Sequence, residues 1–278
     1  MAVTTAFVLG GGGVLGAAEV GMLQALFERD IRPDLVLGTS IGALNGALVA
    51  RDPTLAVIER LTDLWQTVAS SREVFGDRPL RTVRRAVSTG THVYSSSPMR
   101  RRLAEEFGDM TFEDLPVRFQ VCAANIERAA EHWFTSGPIV PAIVASAAVP
   151  GLLPPAKVGD EHFLDGGIVN SIPLGRAVAL GADVVYVLQV GRIDRPLQVP
   201  KRPWEVARVS FEIARRHRFA RELEEVPDGV VAHVLPARGT SDKDDSILGH
   251  RDFTSVTTRI EETYRASLEY LDQNVADQ

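Results

Sequence analysis

Residues 33–50 read PDLVLGTSIGALNGALVA, and this stretch carries the strongest local signal for the fold. The apolar run LVL after the proline is typical of a buried strand, and the small apolar residues of ALNGALVA favour a helix. Between them, Gly38 and Gly42 flank Ser40 in a G-x-S-x-G pattern, in which small residues leave room for a tight strand-to-helix turn. Ser40 is therefore a candidate nucleophile, with a plain helix-capping serine as the alternative.

A second unit of the same kind comes before it. Val3 to Leu9 is a short apolar run bounded by glycine, residues 10–16 read GGGGVLG, and residues 16–29 carry apolar positions at helical spacing. Two strand, turn and helix units within about fifty residues predict an α/β fold with a mainly parallel sheet.

The glycine loop has two interpretations. Gly11, Gly13 and Gly16 fit the G-x-G-x-x-G pattern of a dinucleotide-binding oxidoreductase, which also needs an acidic residue after the second strand. Here Asp34 precedes that strand, and GTSIG follows it. The loop is better explained as a source of free backbone N–H groups at a helix N-terminus, which can hold an oxyanion as well as a phosphate.

A third glycine-marked turn lies at residues 164–173, LDGGIVNSIP. Asp165 follows a short apolar stretch and precedes Gly166 and Gly167, which would let its side chain enter a crowded site. Asp165 taken alone also fits an ordinary Asx-turn.

The remaining pattern predicts a single domain over residues 1–278, with its core motifs in residues 3–190. Residues 53–107 are mainly helical and are interpreted as an insertion or lid. Strands are predicted at 117–124, 132–135, 184–190 and 230–235, with helices at 138–148, 203–225 and the C-terminus. Residues 200–278 form a C-terminal extension without an assignable motif.

Together the glycine loop, the GTSIG turn and DGGIVNSIP resemble the patatin-like phospholipases, and ASAAVPGLLPP at 145–155 is similar to the segment that precedes the aspartate in that family. The resemblance implies a three-layer α/β/α fold and a serine esterase or lipid acyl hydrolase, with (lyso)phospholipids as the substrate class. It implies a Ser40–Asp165 dyad that needs neither histidine, metal nor organic cofactor.

By the same resemblance, N–H groups of Gly11, Gly12 and Gly13 would form the oxyanion hole, with Ile41 as a further donor. The family often carries Arg or Lys where this chain has Leu15, so the resemblance predicts no cation for a substrate phosphate at that position. A catalytically silent, regulatory member of the family is an alternative. A Ser-His-Asp triad is another, because His217, His233 and His250 follow Asp165.

The composition and charge of the chain indicate which binding partners and which cellular location to expect. A net charge of −6 gives no overall reason to bind nucleic acid, and one cysteine, Cys122, permits no internal disulfide. The N-terminus has neither a basic region nor a long apolar run, so we expect a cytoplasmic protein. Seven arginines between residues 76 and 102, against one acid, could give peripheral contact with anionic membranes.

Overall fold

The computed structural model describes residues 3–70, 91–190, 193, 196–237 and 256–275. Within them, eight strands form one sheet, of which seven follow the order β5-β6-β3-β2-β1-β7-β8 and the eighth, β4, also pairs with β3. The strands are β1 Thr5–Leu9, β2 Leu35–Thr39, β3 Arg118–Asn125, β4 Ala130–Phe134, β5 Ala156–Val158, β6 Glu161–Asp165, β7 Val184–Leu188 and β8 Val231–Val234.

Five neighbouring strands, β3, β2, β1, β7 and β8, run parallel. Strands β4 and β6 each pair antiparallel with β3, and β5 pairs antiparallel with β6. The parallel strands are short apolar runs because helices cover both faces of the sheet. Along β1, Phe7 and Leu9 face one core, whereas Ala6 and Val8 face the other. The predicted three-layer α/β/α architecture is confirmed.

In the described residues, the helices longer than one turn are α1 Ala17–Glu28, α2 Ile41–Arg51, α3 Ala56–Ser70, α4 Ser97–Phe107, α5 Ile139–Ser146, α7 Leu174–Ala179, α8 Pro203–Glu224 and α9 Val256–Asn274, and α6 is the single turn Gly167–Asn170. The larger core collects side chains of α1 to α5 and α9, and the smaller core includes those of α7 and α8. Helices α7 and α8 therefore cover the second face of the sheet.

The C-terminal region, which carried no motif, is integrated into this architecture. Strand β8 extends the parallel sheet beside β7. Helix α9 packs along α1 so closely that a side chain at Gly21 would lie 2.2 Å from the carbonyl oxygen of Ile260. Arg259 on α9 is buried and donates to the carbonyl oxygen of Val14, in the glycine loop.

The segment predicted as a helical insertion contains α3 and α4, while residues 71–90 lie outside the described residues. Glu106 of α4 forms ion pairs with Arg51 of α2 and Arg60 of α3. Burial opposes ionisation of this carboxyl, but the two guanidinium groups outweigh it and lower the pKa of Glu106. These pairs anchor α4 to the body of the protein.

Candidate active site

Ser40 lies on a strained turn between β2 and α2. Its backbone has φ 55° and ψ −119°, which is an unfavourable region for a residue with a side chain. A Cβ at Gly38 would lie 2.6 Å from Cα of Ala43, and one at Gly42 would lie 2.3 Å from the carbonyl oxygen of Leu9. Both flanking positions therefore require glycine, as the G-x-S-x-G pattern predicts.

The Ser40 hydroxyl does not cap the helix: its side chain makes no capping hydrogen bond. Instead its Oγ donates to Oδ2 of Asp165 at 2.6 Å, across 125 positions of sequence. Both residues are buried, with 8% of Ser40 and 3% of Asp165 exposed. The helix-cap alternative is therefore wrong, and the two candidate residues are in direct contact.

Asp165 is the last residue of β6, which places its side chain beside the carboxyl end of β2. Its Oδ1 accepts the N–H of Gly167 at 2.7 Å, and its own N–H donates to the carbonyl of Ala148. Burial raises the pKa of Asp165 to about 6, although the hydrogen bonds from Ser40 and Gly167 lower it in part. A carboxyl group with this pKa can take and return a proton near neutral pH.

Both glycines after Asp165 are needed for close packing. A Cβ at Gly166 would lie 2.3 Å from the carbonyl oxygen of Cys122, and one at Gly167 would lie 2.6 Å from the ring of Phe211. The turn is also tied to the nucleophile strand, since the Thr39 hydroxyl donates to the carbonyl of Asn170 at 2.8 Å. Asp165 is thus held on a turn with little freedom to move.

Ser146 joins the two turns and was not singled out from the sequence. Its Oγ accepts the N–H of Ser40 at 2.8 Å and donates to the carbonyl of Cys122 at 2.5 Å. Its carbonyl accepts the N–H of Gly166 at 3.1 Å. Ser146 is the second residue of ASAAVPGLLPP at 145–155. That segment resembles the family, but the resemblance alone assigns no role to its serine.

The glycine loop runs beside the same turn. The N–H of Gly11 donates to the carbonyl of Ser171 at 3.0 Å, so the geometry argues against Gly11 as one of the predicted oxyanion donors and makes it an anchor of the loop. Within the described residues, the N–H groups of Gly12 and Gly13 donate to no backbone acceptor. Gly13 has φ 57°, a conformation that favours glycine.

Two further contacts fix the loop. A Cβ at Gly12 would lie 1.9 Å from Cγ2 of Val190, and one at Gly16 would lie 2.7 Å from Cγ1 of Ile41. Ile41 is the first residue of α2, where backbone N–H groups have no partner within the helix. The loop and the start of α2 therefore bring their N–H groups to the neighbourhood of Ser40.

The structure does not support the rival sites. Asp34 lies at the amino end of β2 and accepts the N–H of Thr5, so it is not placed for a nucleotide ribose. His233 is on β8, separated from β2 by β1 and β7, where it stacks on Tyr186. His217 is exposed on α8, and His250 lies outside the described residues.

The remaining predictions concern metal binding, membrane contact and location. In the described ranges, no cluster of three or more His, Cys, Asp and Glu side chains has a metal-binding arrangement. Of the basic segment 76–102, residues 76–90 lie outside the description, so membrane contact and location stay predictions. Over the same described ranges, every helix is too short or too polar to cross a bilayer.

A nucleophile elbow, a buried carboxyl partner and a glycine loop at the carboxyl end of a parallel sheet are typical of a serine hydrolase of the α/β class. The family model for patatin-like phospholipases matches residues 7–178. The chain belongs to this family.

Two named relatives each match about two thirds of the chain. It is 34% identical over 195 residues to lysophospholipase nte1 of Aspergillus terreus, covering 67% of this chain and 12% of that protein. It is 33% identical over 191 residues to patatin-like phospholipase domain-containing protein 7 of Rattus norvegicus, covering 68% of this chain and 14% of that protein. The chain thus matches only about an eighth of the length of these relatives.

Among solved structures, VipD from Legionella pneumophila is similar with a TM-score of 0.45 and 13% identity, covering 98% of this chain and 67% of that chain.

Proposed function

We propose that this protein hydrolyses carboxylic esters of lipids, with Ser40 as the nucleophile and Asp165 as its general base. The observation that carries the proposal is the 2.6 Å hydrogen bond from the Ser40 hydroxyl to the buried Asp165 carboxyl on a strained turn. A hydroxyl is a weak nucleophile until a base accepts its proton, and this contact supplies the base directly.

In the first half of the reaction, Ser40 Oγ attacks the ester carbonyl carbon while its proton passes to Oδ2 of Asp165. The carbonyl oxygen becomes an oxyanion, which the N–H groups of Gly12, Gly13 and Ile41 stabilise. Asp165 then gives the proton to the departing alcohol as the carbon–oxygen bond breaks. The product is an acyl ester on Ser40 and a free alcohol.

In the second half, Asp165 takes a proton from a water molecule that attacks the acyl carbonyl. The same N–H groups stabilise the second oxyanion. Collapse of this intermediate releases the fatty acid, and the proton on Asp165 returns to Ser40 Oγ. Each oxyanion donor in comparable sites contributes on the order of 10²- to 10³-fold to the rate.

The relatives support lipids as the substrate class. One is named a lysophospholipase and the other a protein with a patatin-like phospholipase domain. The residues that match the family model include the three turns. We infer that the substrate is an acyl ester of a lipid such as a lysophospholipid. The side chain of Leu15 offers no cation to a substrate phosphate, so a neutral lipid ester belongs in the same test.

The test is labelling with a fluorophosphonate probe together with turnover of p-nitrophenyl butyrate, lysophosphatidylcholine and monoacylglycerol. We expect the wild-type protein to be labelled and active, and Ser40→Ala to be neither. Ser171→Ala is the matched control, because Ser171 is a second buried serine beside Gly11 with no role in bond breaking. An unlabelled wild-type protein without turnover would indicate a silent family member and contradict the proposal.

A further inference from the structure

A buried polar cluster lies behind the glycine loop and takes no part in the mechanism above. Asn45 on α2 donates from Nδ2 to the carbonyl of Gly16 at 3.0 Å and to Oε2 of Glu19 at 2.7 Å. Its Oδ1 accepts the indole N–H of Trp65 at 3.3 Å. Glu19 and Asn45 are fully buried, and Trp65 is 2% exposed. Asn45 thus uses both amide hydrogens and its oxygen.

The cluster joins the two segments that supply the proposed oxyanion donors. Gly12 and Gly13 belong to the loop that ends at Gly16, whereas Ile41 begins the helix that carries Asn45. The Asn45 bond to Gly16 spans these segments directly. An oxyanion hole built from two segments works only if their relative position is held within about 0.5 Å.

Glu19 determines which way the Asn45 amide faces. By accepting one amide hydrogen, it keeps the nitrogen of Asn45 towards Gly16 and the oxygen towards Trp65. Burial raises the pKa of Glu19 well above its usual range, although its hydrogen bond with Asn45 lowers it in part. Its second oxygen, Oε1, has no hydrogen-bond partner in the described part of the chain.

A buried carboxyl with an unsatisfied oxygen is costly for folding, and an apolar residue would fill the same space without that cost. We propose that Glu19 and Asn45 are positioning residues, which fix the glycine loop against α2 and thereby align the two halves of the oxyanion hole. The inference rests on the proposed function, because it concerns the same site.

The first experiment compares Glu19→Leu and Glu19→Gln in ester turnover. Glu19→Leu removes the acceptor, so we expect kcat to fall on the order of 10- to 100-fold while KM changes little, because misalignment affects the transition state more than binding. Glu19→Gln keeps an acceptor of the same shape and should recover most of the wild-type kcat. Equal losses in both variants would overturn the proposal.

The second experiment separates positioning from stability. Asn45→Leu leaves the buried Glu19 carboxyl without its donor, whereas Glu19→Leu combined with Asn45→Leu removes both members of that hydrogen bond and should unfold at a higher urea concentration than Asn45→Leu alone. We expect the double variant to remain as slow as the single ones. Recovery of kcat together with stability would mean that the cluster acts only on folding, and would contradict the inference even if Glu19→Leu alone fails to fold.

A transition-state readout completes the design. A trifluoromethyl ketone that adds to Ser40 forms an oxyanion, so its affinity should fall in proportion to kcat/KM in the Glu19 and Asn45 variants. Leu26→Ala is the control, since Leu26 is fully buried two turns beyond Glu19 on α1. It should lose stability and keep both kcat and inhibitor affinity.

The outcomes distinguish this inference from the proposed function. Without Ser40-dependent turnover in the wild-type protein, the proposed function itself fails. With that turnover present, a folded Glu19→Leu protein whose kcat and inhibitor affinity stay within about twofold of wild type contradicts only the positioning role.

Discussion

Two residues of the site are held in unfavourable states by the structure around them. Ser40 has a positive φ, which costs on the order of 1–3 kcal/mol, and Asp165 is buried where ionisation is unfavourable. The surrounding contacts compensate by fixing both turns: Ser146 binds the backbone of each, and the glycines on either side permit close packing. The unfavourable states are therefore a property of the site and not of a poorly packed region.

The raised pKa of Asp165 predicts a dependence of both activity and stability on pH. Its folded pKa of about 6 lies above the ordinary value of 3.8, so burial costs no ionisation energy below about pH 4. As pH rises from about 4 to 6, the unfolded state ionises while the folded state stays protonated, so the folded state loses about 3 kcal/mol of stability by pH 7. We therefore expect Asp165→Asn to gain about that much stability over wild type between pH 4 and pH 7, measured by urea unfolding.

Activity should rise with pH, whereas stability falls. Asp165 must be ionised to accept the Ser40 proton, so wild-type kcat/KM should rise through about pH 6 and then level off. Asp165→Asn should lose on the order of 10²- to 10⁴-fold in turnover. Ser40→Ala is the matched control, because it is equally inactive but keeps the pH dependence of stability. A stability difference for Asp165→Asn that does not change with pH would contradict this account.

At the scale of elements, three turns at the carboxyl end of the sheet could be predicted because each combines a strand with glycines at fixed positions. The side chains that hydrogen-bond to these turns could not be predicted from the sequence. Ser146, Asn45 and Glu19 act across long sequence separations, and a buried polar residue looks the same in sequence whether it packs or orients. Strands β5 and β6 were not predicted, because the preceding GLLPP segment favours a turn and the two short strands gain order only by pairing, β5 with β6 and β6 with β3.

The pairing of α1 with α9 also depends on a contact that the sequence does not reveal. A Cβ at Gly21 would lie 2.2 Å from the carbonyl oxygen of Ile260 and 2.7 Å from the N–H nitrogen of Tyr264. Since backbone atoms cannot turn aside as a side chain can, Gly21→Ala should push α9 away and lower the free energy of unfolding by about 2 kcal/mol. Urea unfolding monitored by circular dichroism would measure the change.

Gly175→Ala is the control for this prediction. It adds the same methyl group to a helix, but the nearest atom is Cδ of the Glu222 side chain at 3.1 Å, which can move. Alanine is favoured over glycine in helices by about 1 kcal/mol, so stability should stay the same or rise. A similar loss in both variants would mean that the effect at Gly21 is not due to helix contact.

For the whole molecule, we propose that the chain forms a single cooperative domain, as the sequence predicts. The larger core combines side chains of α1 and α2 with those of α9, although more than 200 positions separate them in sequence. The C-terminal strand and helix carry no motif of the site, yet they complete the sheet edge and cover α1. Their contribution to stability should therefore extend to the distant sheet centre.

Cys122 offers a direct measurement of this cooperativity. It is the single cysteine, it is fully buried in β3, and burial raises the pKa of its thiol, so the folded protein should not react with a thiol reagent. Leu271→Ala on α9 leaves a cavity in the core and should cost about 2–5 kcal/mol. In a single domain, the urea midpoints from Cys122 labelling and from circular dichroism should fall together by the same amount. If Leu271→Ala lowers the circular dichroism midpoint and leaves Cys122 protected as in wild type, α9 unfolds separately and the chain is not one cooperative unit.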